Sequence, residues 1–232
     1  MSLAYVIGSG TAGATSARIL KDNGWDVEVF ETREYLSGNC YDYVDEKTGC
    51  VIHAHGPHAI HTDNDRVWDW LNQFAVFNNF SVEVWANTSL GKIPIPYNDN
   101  SDKIIGRRLS DTEIKELVFR DYSEKMWGIK LEEIDPQVFN RVPFRDDDNE
   151  YYFPNDEFQY MPADGYSKLF ENILNHENIS IRLDTPYVKD MENNYLHCFN
   201  SMPIDEFYQY CYGELPYRSI KFETINLPLP IA

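Results

Sequence analysis

The feature that most constrains this chain is a single unit within its first 31 residues. An apolar run, Leu3-Ala4-Tyr5-Val6-Ile7, ends in Gly8-Ser9-Gly10-Thr11-Ala12-Gly13. Ala14, Ala17, Ile19 and Leu20 then recur at helical spacing up to Asn23-Gly24, a common helix stop. A second run, Val27-Glu28-Val29-Phe30, alternates like a strand and ends at Glu31, 23 residues beyond Gly8. Strand, glycine turn, helix, strand and terminal acid together spell a βαβ dinucleotide site. In such a site Gly8 makes the tight turn, Gly10 lets a pyrophosphate approach the backbone and Gly13 lets the helix lie close on the strand. The helix N-terminus faces the phosphates, and Glu31 is placed to accept from a pair of ribose hydroxyls. An acid here disfavours the 2′-phosphate of NADP and leaves FAD or NAD. Thr32 to Asn39 then puts Arg33 and a Gly38-Asn39 pair where a simple NAD domain runs straight into its next helix, which suits the longer FAD better.

Charge narrows the partners. With 20 Lys+Arg against 38 Asp+Glu, the formal charge is −18, which speaks against nucleic acid or an anionic membrane, since both need a basic face. Hydrophobic residues at 43% place the 232-residue chain among folded globular proteins, as one large domain or two small ones. Cys40, Cys50, Cys198 and Cys211 show no C-x-x-C spacing, so a reducing compartment, the cytoplasm, is expected. No run of about 18 apolar residues occurs that could span a bilayer.

His53, His55, His58 and His61 fall within nine residues, interrupted by Gly56-Pro57. Three readings stand: a metal ligand set, structural histidines, or imidazoles laid beside a cofactor ring. Gly-Pro breaks any single helix face, and no Cys or carboxylate stands at a matching spacing, so no metal is expected.

Taken in order, several blocks resemble the flavin-binding half of bacterial UDP-galactopyranose mutases. They are Gly8-Ser9-Gly10, Glu31-Thr32-Arg33, Ser37-Gly38-Asn39-Cys40-Tyr41 and His55-Gly56-Pro57-His58-Ala59-Ile60-His61-Thr62. Tyr122 to Gly128, Arg141 to Arg145, Asn149 to Phe153, Gly165 to Leu169 and Tyr217 to Glu223 continue the match. The resemblance implies a flavoenzyme that interconverts UDP-galactopyranose and UDP-galactofuranose on reduced FAD, through a covalent flavin N5-galactose intermediate. It implies FAD binding by Gly8, Gly10, Thr11, Ala12, Gly13, Glu31, Thr32, Arg33, Gly38, Asn39 and His58, and catalytic roles for His61, His58 and Arg141. Phe119, Tyr122, Trp127, Arg141, Tyr152 and Arg218 are implied to bind UDP-galactose. Taken singly, Tyr122 and Trp127 also read as helix-packing aromatics, and Arg141 as a solvated loop residue.

The chain departs from the family pattern at Ser37, where the family has glycine, and at Val118, where it has an aromatic residue. The insert between Ile93-Pro94-Ile95-Pro96 and the Tyr122 block is short, and the chain stops at Ala232 where the family continues. An open sheet edge is therefore expected, covered by the last residues, by a homodimer or by a second chain completing the fold. A catalytically inactive nucleotide-binding remnant and an FAD-dependent oxidase of the amine-oxidase type are the alternative functions.

The expected fold class is α/β, becoming α+β in the substrate region: a Rossmann-like FAD-binding domain with a reduced helical insert and a small antiparallel sheet. The FAD domain is expected over 1–80 and 160–232, the substrate-side sheet over 81–97 and 141–160, and the insert over 98–140. Helices are predicted over 63–80, with Val67, Trp68, Trp70 and Leu71 buried, over 165–176, and over 203–212. Asp111 is the predicted N-cap of a helix through Phe119, and 179–183 a strand.

Overall fold

The computed structural model describes residues 2–140, 144–217 and 219–225. The strands are β1 Leu3–Ile7, β2 Asp26–Phe30, β3 Asp42–Val44, β4 Val51–His53, β5 Ile60–Thr62, β6 Phe77–Asn79, β7 Val84–Thr88, β8 Gly91–Ile95, β9 Phe158–Pro162, β10 Ile179–Arg182 and β11 His197–Asn200. The α-helices are α1 Thr11–Asp22, α2 Asp65–Leu71, α3 Asp99–Ile105, α4 Asp111–Ile114, α5 Arg120–Trp127, α6 Gln137–Asn140, α7 Tyr166–Leu174 and α8 Ile204–Phe207. Two compact units result: Met1–His58 with Arg66–Asn78 and Met161–Ala232, and Ala59–Asp65 with Asn79–Tyr160.

The first unit is built on a four-stranded parallel sheet in the order β10-β2-β1-β11. Of its two central strands, β1 is apolar throughout, and β2 buries Val27, Val29 and Phe30 with Asp26 and Glu28 alternating between them. Helix α1 offers small buried residues, Gly13, Ala14 and Ala17, and α7 packs beside it with Tyr166, Leu169, Phe170, Ile173 and Leu174 buried. Those five are the residues that the 3.6-residue spacing predicts. A second cluster, Tyr5, Ile7 and Phe30, is covered by Tyr187, Met191, Tyr195 and Met202.

Three helix expectations are corrected. The helix predicted over 63–80 ends at Leu71, Val67 is 44% exposed, and Phe74, beyond the helix, is the residue buried beneath the Arg18 guanidinium. The helix predicted over 203–212 lasts one turn, because Gln209 and Tyr210 adopt positive φ and close it. Ser110 rather than Asp111 is the N-cap of α4, with Glu113 completing a capping box. Of the segment predicted as extended from 141 to 160, the described residues, which begin at Phe144, form a strand only from Phe158, with a single bridge between Tyr151 and Glu83 before it. Of the last residues, expected to cover a sheet edge, 226–232 lie outside the described residues, and Ile220 and Ile225 are exposed.

The second unit packs the β7/β8 hairpin against helices around Ile93, Tyr97, Leu109 and Ile114. Its polar run Asn98 to Asp102 is not open loop. Asn98 and Ser101 form a capping box on α3, Asn98 donates to the Asn149 carbonyl, and Asn100 donates to the Asp148 carbonyl and the Glu150 carboxylate. Tyr97 donates to Asp102 and accepts from the Leu109 N–H, and burial first, then that carboxylate, push its hydroxyl pKa up to about 12. Between α4 and α5 the chain widens into a π-turn at Lys115–Phe119, a rare irregularity often found at functional sites.

Candidate functional site

Where α1 begins, three glycines meet different steric demands. Gly8 has φ +88°, and a Cβ there would lie 2.4 Å from Ser201 Oγ. A Cβ on Gly13 would lie 1.9 Å from the Gly8 carbonyl oxygen, so this position sets how closely the helix approaches the strand. Gly10 and Gly38 pass backbone to backbone, since a Cβ on Gly38 would lie 2.9 Å from Gly10 Cα.

These turns open a cavity of about 740 Å³ in the first unit. Of the residues predicted to hold the cofactor, Gly8, Gly10, Thr11, Glu31, Thr32, Arg33, Gly38 and Asn39 lie on its wall. Ala12, Gly13 and His58 lie off it. Glu31 is buried, accepting at Oε2 from Ser9 N–H (2.9 Å) and Ser9 Oγ (2.7 Å), and at Oε1 from Arg33 N–H (2.9 Å). Three of its four acceptor positions are thus filled by the protein, which leaves room for one ribose hydroxyl where the sequence suggests a pair. Arg33 donates to Asn39 Oδ1, while its Nη1 is buried without a partner, as is Ser37 Oγ. Two unpaired buried donors on the cavity wall fit a ligand rich in phosphate and hydroxyl oxygens, as FAD is.

Ser37, the departure from the family pattern, stands in a backbone conformation that favours glycine. It is fully buried at φ +79°, a left-handed conformation that costs a non-glycine residue roughly 1–2 kcal/mol. Ser37→Gly removes that strain and the orphaned hydroxyl at the cost of some unfolded-state entropy. We expect a net gain of about 1 kcal/mol in the flavin-free protein, read as a higher urea midpoint at unchanged slope.

The opposite wall comes from Pro186, Tyr187, Ser201, Met202, Pro203 and Glu206, none of which the sequence analysis singled out. Ser201, Met202, Pro203 and Glu206 reach the site because β11 pairs in parallel with β1, bringing Ser201 against Gly8, and Pro186 and Tyr187 because the Thr185 N–H before them donates to the Glu31 carbonyl. The signal that could have found them is the short apolar pair Cys198-Phe199, a strand too brief to show alternation.

The histidines separate. His53 accepts the His58 backbone N–H at Nδ1, and burial holds its pKa below the ordinary imidazole range. His55 meets the Tyr35 hydroxyl, and its pKa is likewise lowered by burial. Both have structural partners. His58 keeps a buried Nδ1 without one, beside the Tyr166 ring. His61 belongs to the second unit, where Nδ1 lies 2.6 Å from Asp156 and the ring stacks on Phe153. Among the described residues no three His, Cys, Asp or Glu side chains form a group that could hold a metal ion. Cys40, on the cavity wall beside Thr11, has its thiol pKa pushed up by burial.

The second unit also carries the aromatic residues predicted for substrate. Phe119 packs against the hydrophobic core, whereas Tyr122 is 63% and Trp127 43% exposed, so core packing does not account for those two. Tyr152 lies edge-on to Phe153, which brings it into one row with His61. Arg141 and Arg218 lie outside the described residues. Among those described, no helix is long and apolar enough to cross a membrane.

Comparison with known proteins agrees with the Rossmann-like fold of the first unit. The family model for UDP-galactopyranose mutase matches residues 117–230, and that for an NAD(P)-binding Rossmann-like domain matches residues 6–74. The chain is 34% identical to a dTDP-fucopyranose mutase of Escherichia coli, over 96% of this chain and 69% of that protein. It is 32% identical to a probable UDP-galactopyranose mutase of Klebsiella pneumoniae, over 95% of this chain and 65% of that one. A crystal structure of reduced UDP-galactopyranose mutase shares the fold, with a TM-score of 0.63 at 15% identity, over 90% of this chain and 57% of the other. The chain thus spans about two thirds of the length of these curated relatives.

Proposed function

The chain belongs to the UDP-galactopyranose mutase family, and from that premise we propose that it interconverts UDP-galactopyranose and UDP-galactofuranose on reduced FAD. The observation that carries this reading is the first unit's cavity, where the glycine turn, the buried Glu31 and the unpaired donors Arg33 Nη1 and Ser37 Oγ meet. When bound, reduced FAD supplies a nucleophilic ring nitrogen for the sugar's anomeric carbon, with no net oxidation. The chain's own residues bind and orient. Gly8, Gly10 and Thr11 present backbone to the cofactor's phosphates, and Glu31 takes a ribose hydroxyl. Tyr122 and Trp127 offer exposed ring faces to the pyrimidine. Arg141 and Arg218 supply charge for the diphosphate, a task suited to the guanidinium fork, and the Tyr152 hydroxyl serves the same phosphates.

A second reading, in which the carried sugar is a dTDP-linked deoxyhexose, is favoured by the identity to the E. coli relative. Both use the same chemistry. The oxidase alternative has the glycine turn in its favour, which both classes share.

The test supplies the purified chain with FAD and dithionite and follows UDP-galactofuranose and dTDP-fucofuranose by chromatography. Turnover of the UDP sugar is expected, reduced by about 100-fold or more in His61→Ala, the range of a lost acid–base group. Turnover of the dTDP sugar alone transfers the proposal to the second reading. Flavin uptake without turnover of either identifies a nucleotide-binding remnant, and amine-dependent oxygen consumption an oxidase.

A further inference from the structure

Neighbouring side chains hold the His61 ring more firmly than its place on a three-residue strand requires. β5 pairs antiparallel with β9, and Gln159 is the residue directly opposite His61. The Gln159 amide Nε2 donates to the Phe153 carbonyl (2.8 Å) and to the Asp156 carbonyl (3.1 Å), tying down both ends of the turn between them. That turn delivers two side chains onto His61. The Phe153 ring stacks on the imidazole with centroids 3.6 Å apart and planes 6° from parallel. Asp156 Oδ2 lies 2.6 Å from Nδ1.

The two contacts do different things. Stacking fixes the plane of the imidazole, and the carboxylate fixes its rotation within that plane. An ionised carboxylate can only accept, so the hydrogen of this bond sits on His61 Nδ1. A neutral imidazole has a single N–H, and Nε2 is therefore left with a lone pair. An unsupported imidazole on a surface strand rotates and exchanges tautomers.

We propose that Asp156 is a positioning residue: through Nδ1 it holds His61 in one tautomer and one orientation, with Nε2 presented as a hydrogen-bond acceptor to a hydroxyl or N–H of the bound ligands. The His61 side chain is 41% exposed, which gives such a donor access to it. Because Tyr152 lies edge-on to Phe153 in the same turn, an oxygen-bound hydrogen for a phosphate and an acceptor nitrogen are carried by one braced element. What the nitrogen meets rests on the mutase reading. The positioning itself does not.

Long-range 1H–15N correlation spectra of the full chain, recorded at alkaline pH, test this directly. His61 is expected as the Nδ1–H tautomer in the wild type. Asp156→Ala is expected to shift it to a mixture dominated by Nε2–H. Asp156→Asn is expected to keep Nδ1–H, because the amide oxygen can accept as the carboxylate does. In the dithionite assay Asp156→Ala should lower kcat about 10- to 100-fold with KM nearly unchanged, and Asp156→Asn should recover much of the loss. Circular dichroism shows that each variant is folded before it is scored. A wild-type His61 in the Nε2–H form, an unchanged tautomer in Asp156→Ala, or a shifted tautomer with undiminished kcat would each overturn the proposal. The expected tautomer shift in a chain that turns over neither sugar supports the positioning and counts against the mutase reading alone.

Discussion

Gly13→Ala is expected to cost about 3 kcal/mol or more of folding stability and to abolish flavin retention. Alanine is the better helix former by about 1 kcal/mol, so on an exposed helix the change would stabilise. Here the added methyl would lie 1.9 Å from the Gly8 carbonyl oxygen and 2.8 Å from its carbonyl carbon. Those atoms are main chain and cannot rotate away as a side-chain tip does. Relief requires α1 to lift from β1, which spoils the packing of Ala14 and Ala17 and moves the helix N-terminus off the phosphate position. Overpacking of this kind costs typically 1–3 kcal/mol, occasionally more, and outweighs the propensity gain. Urea unfolding followed by circular dichroism, with flavin absorbance of the purified protein, gives both readouts. An unchanged midpoint in a yellow protein would show that the helix can stand farther from the strand than the glycine geometry implies.

Asp42→Ala should cost about 2–4 kcal/mol, an effect that no local pattern announces. The Asp42 carboxylate is buried and accepts from Tyr166 N–H (2.6 Å) and Ser167 N–H (2.8 Å), two of the free donors at the start of α7. The Ser167 hydroxyl returns a bond to the Asp42 carbonyl at 2.7 Å. Gly165 has φ +86°, and a Cβ there would lie 2.8 Å from the same carboxylate, so the glycine makes room for the cap. Alanine leaves one buried and one part-buried N–H group unpaired, each worth roughly 1–3 kcal/mol, with partial relief from water. Because the bonds join residues about 125 apart, they also pin β3 to the helix that packs on α1. Thermal unfolding and amide exchange of Tyr166 and Ser167 would register the change. Exchange as slow as in the wild type would mean that another group caps this helix.

The parallel sheet's first two strands and α1 were legible because each is specified by its own neighbours in sequence. Period-2 and period-3.6 patterns, with glycines where backbone must approach backbone, are short-range signals that survive without any fold around them. The same holds for α7, whose five buried residues stand at the spacing that predicts them. Where the local pattern was weak or a turn residue intervened, the reading failed, as in the helix predicted over 63–80 that ends at Leu71 and the one over 203–212 closed by Gln209 and Tyr210.

By itself, then, the sequence determined the βαβ turn, the acid at its end and the family to which the chain belongs. Only tertiary structure decided who stands opposite. The second cavity wall around Ser201 and Met202, the Asp42 cap on α7 and the Asp156 brace on His61 each join residues about 95 to 195 positions apart. A single chain carries no periodicity at such separations. Those contacts exist because strand pairing and buried packing bring distant segments together, and their energy appears only once the fold has already brought them close.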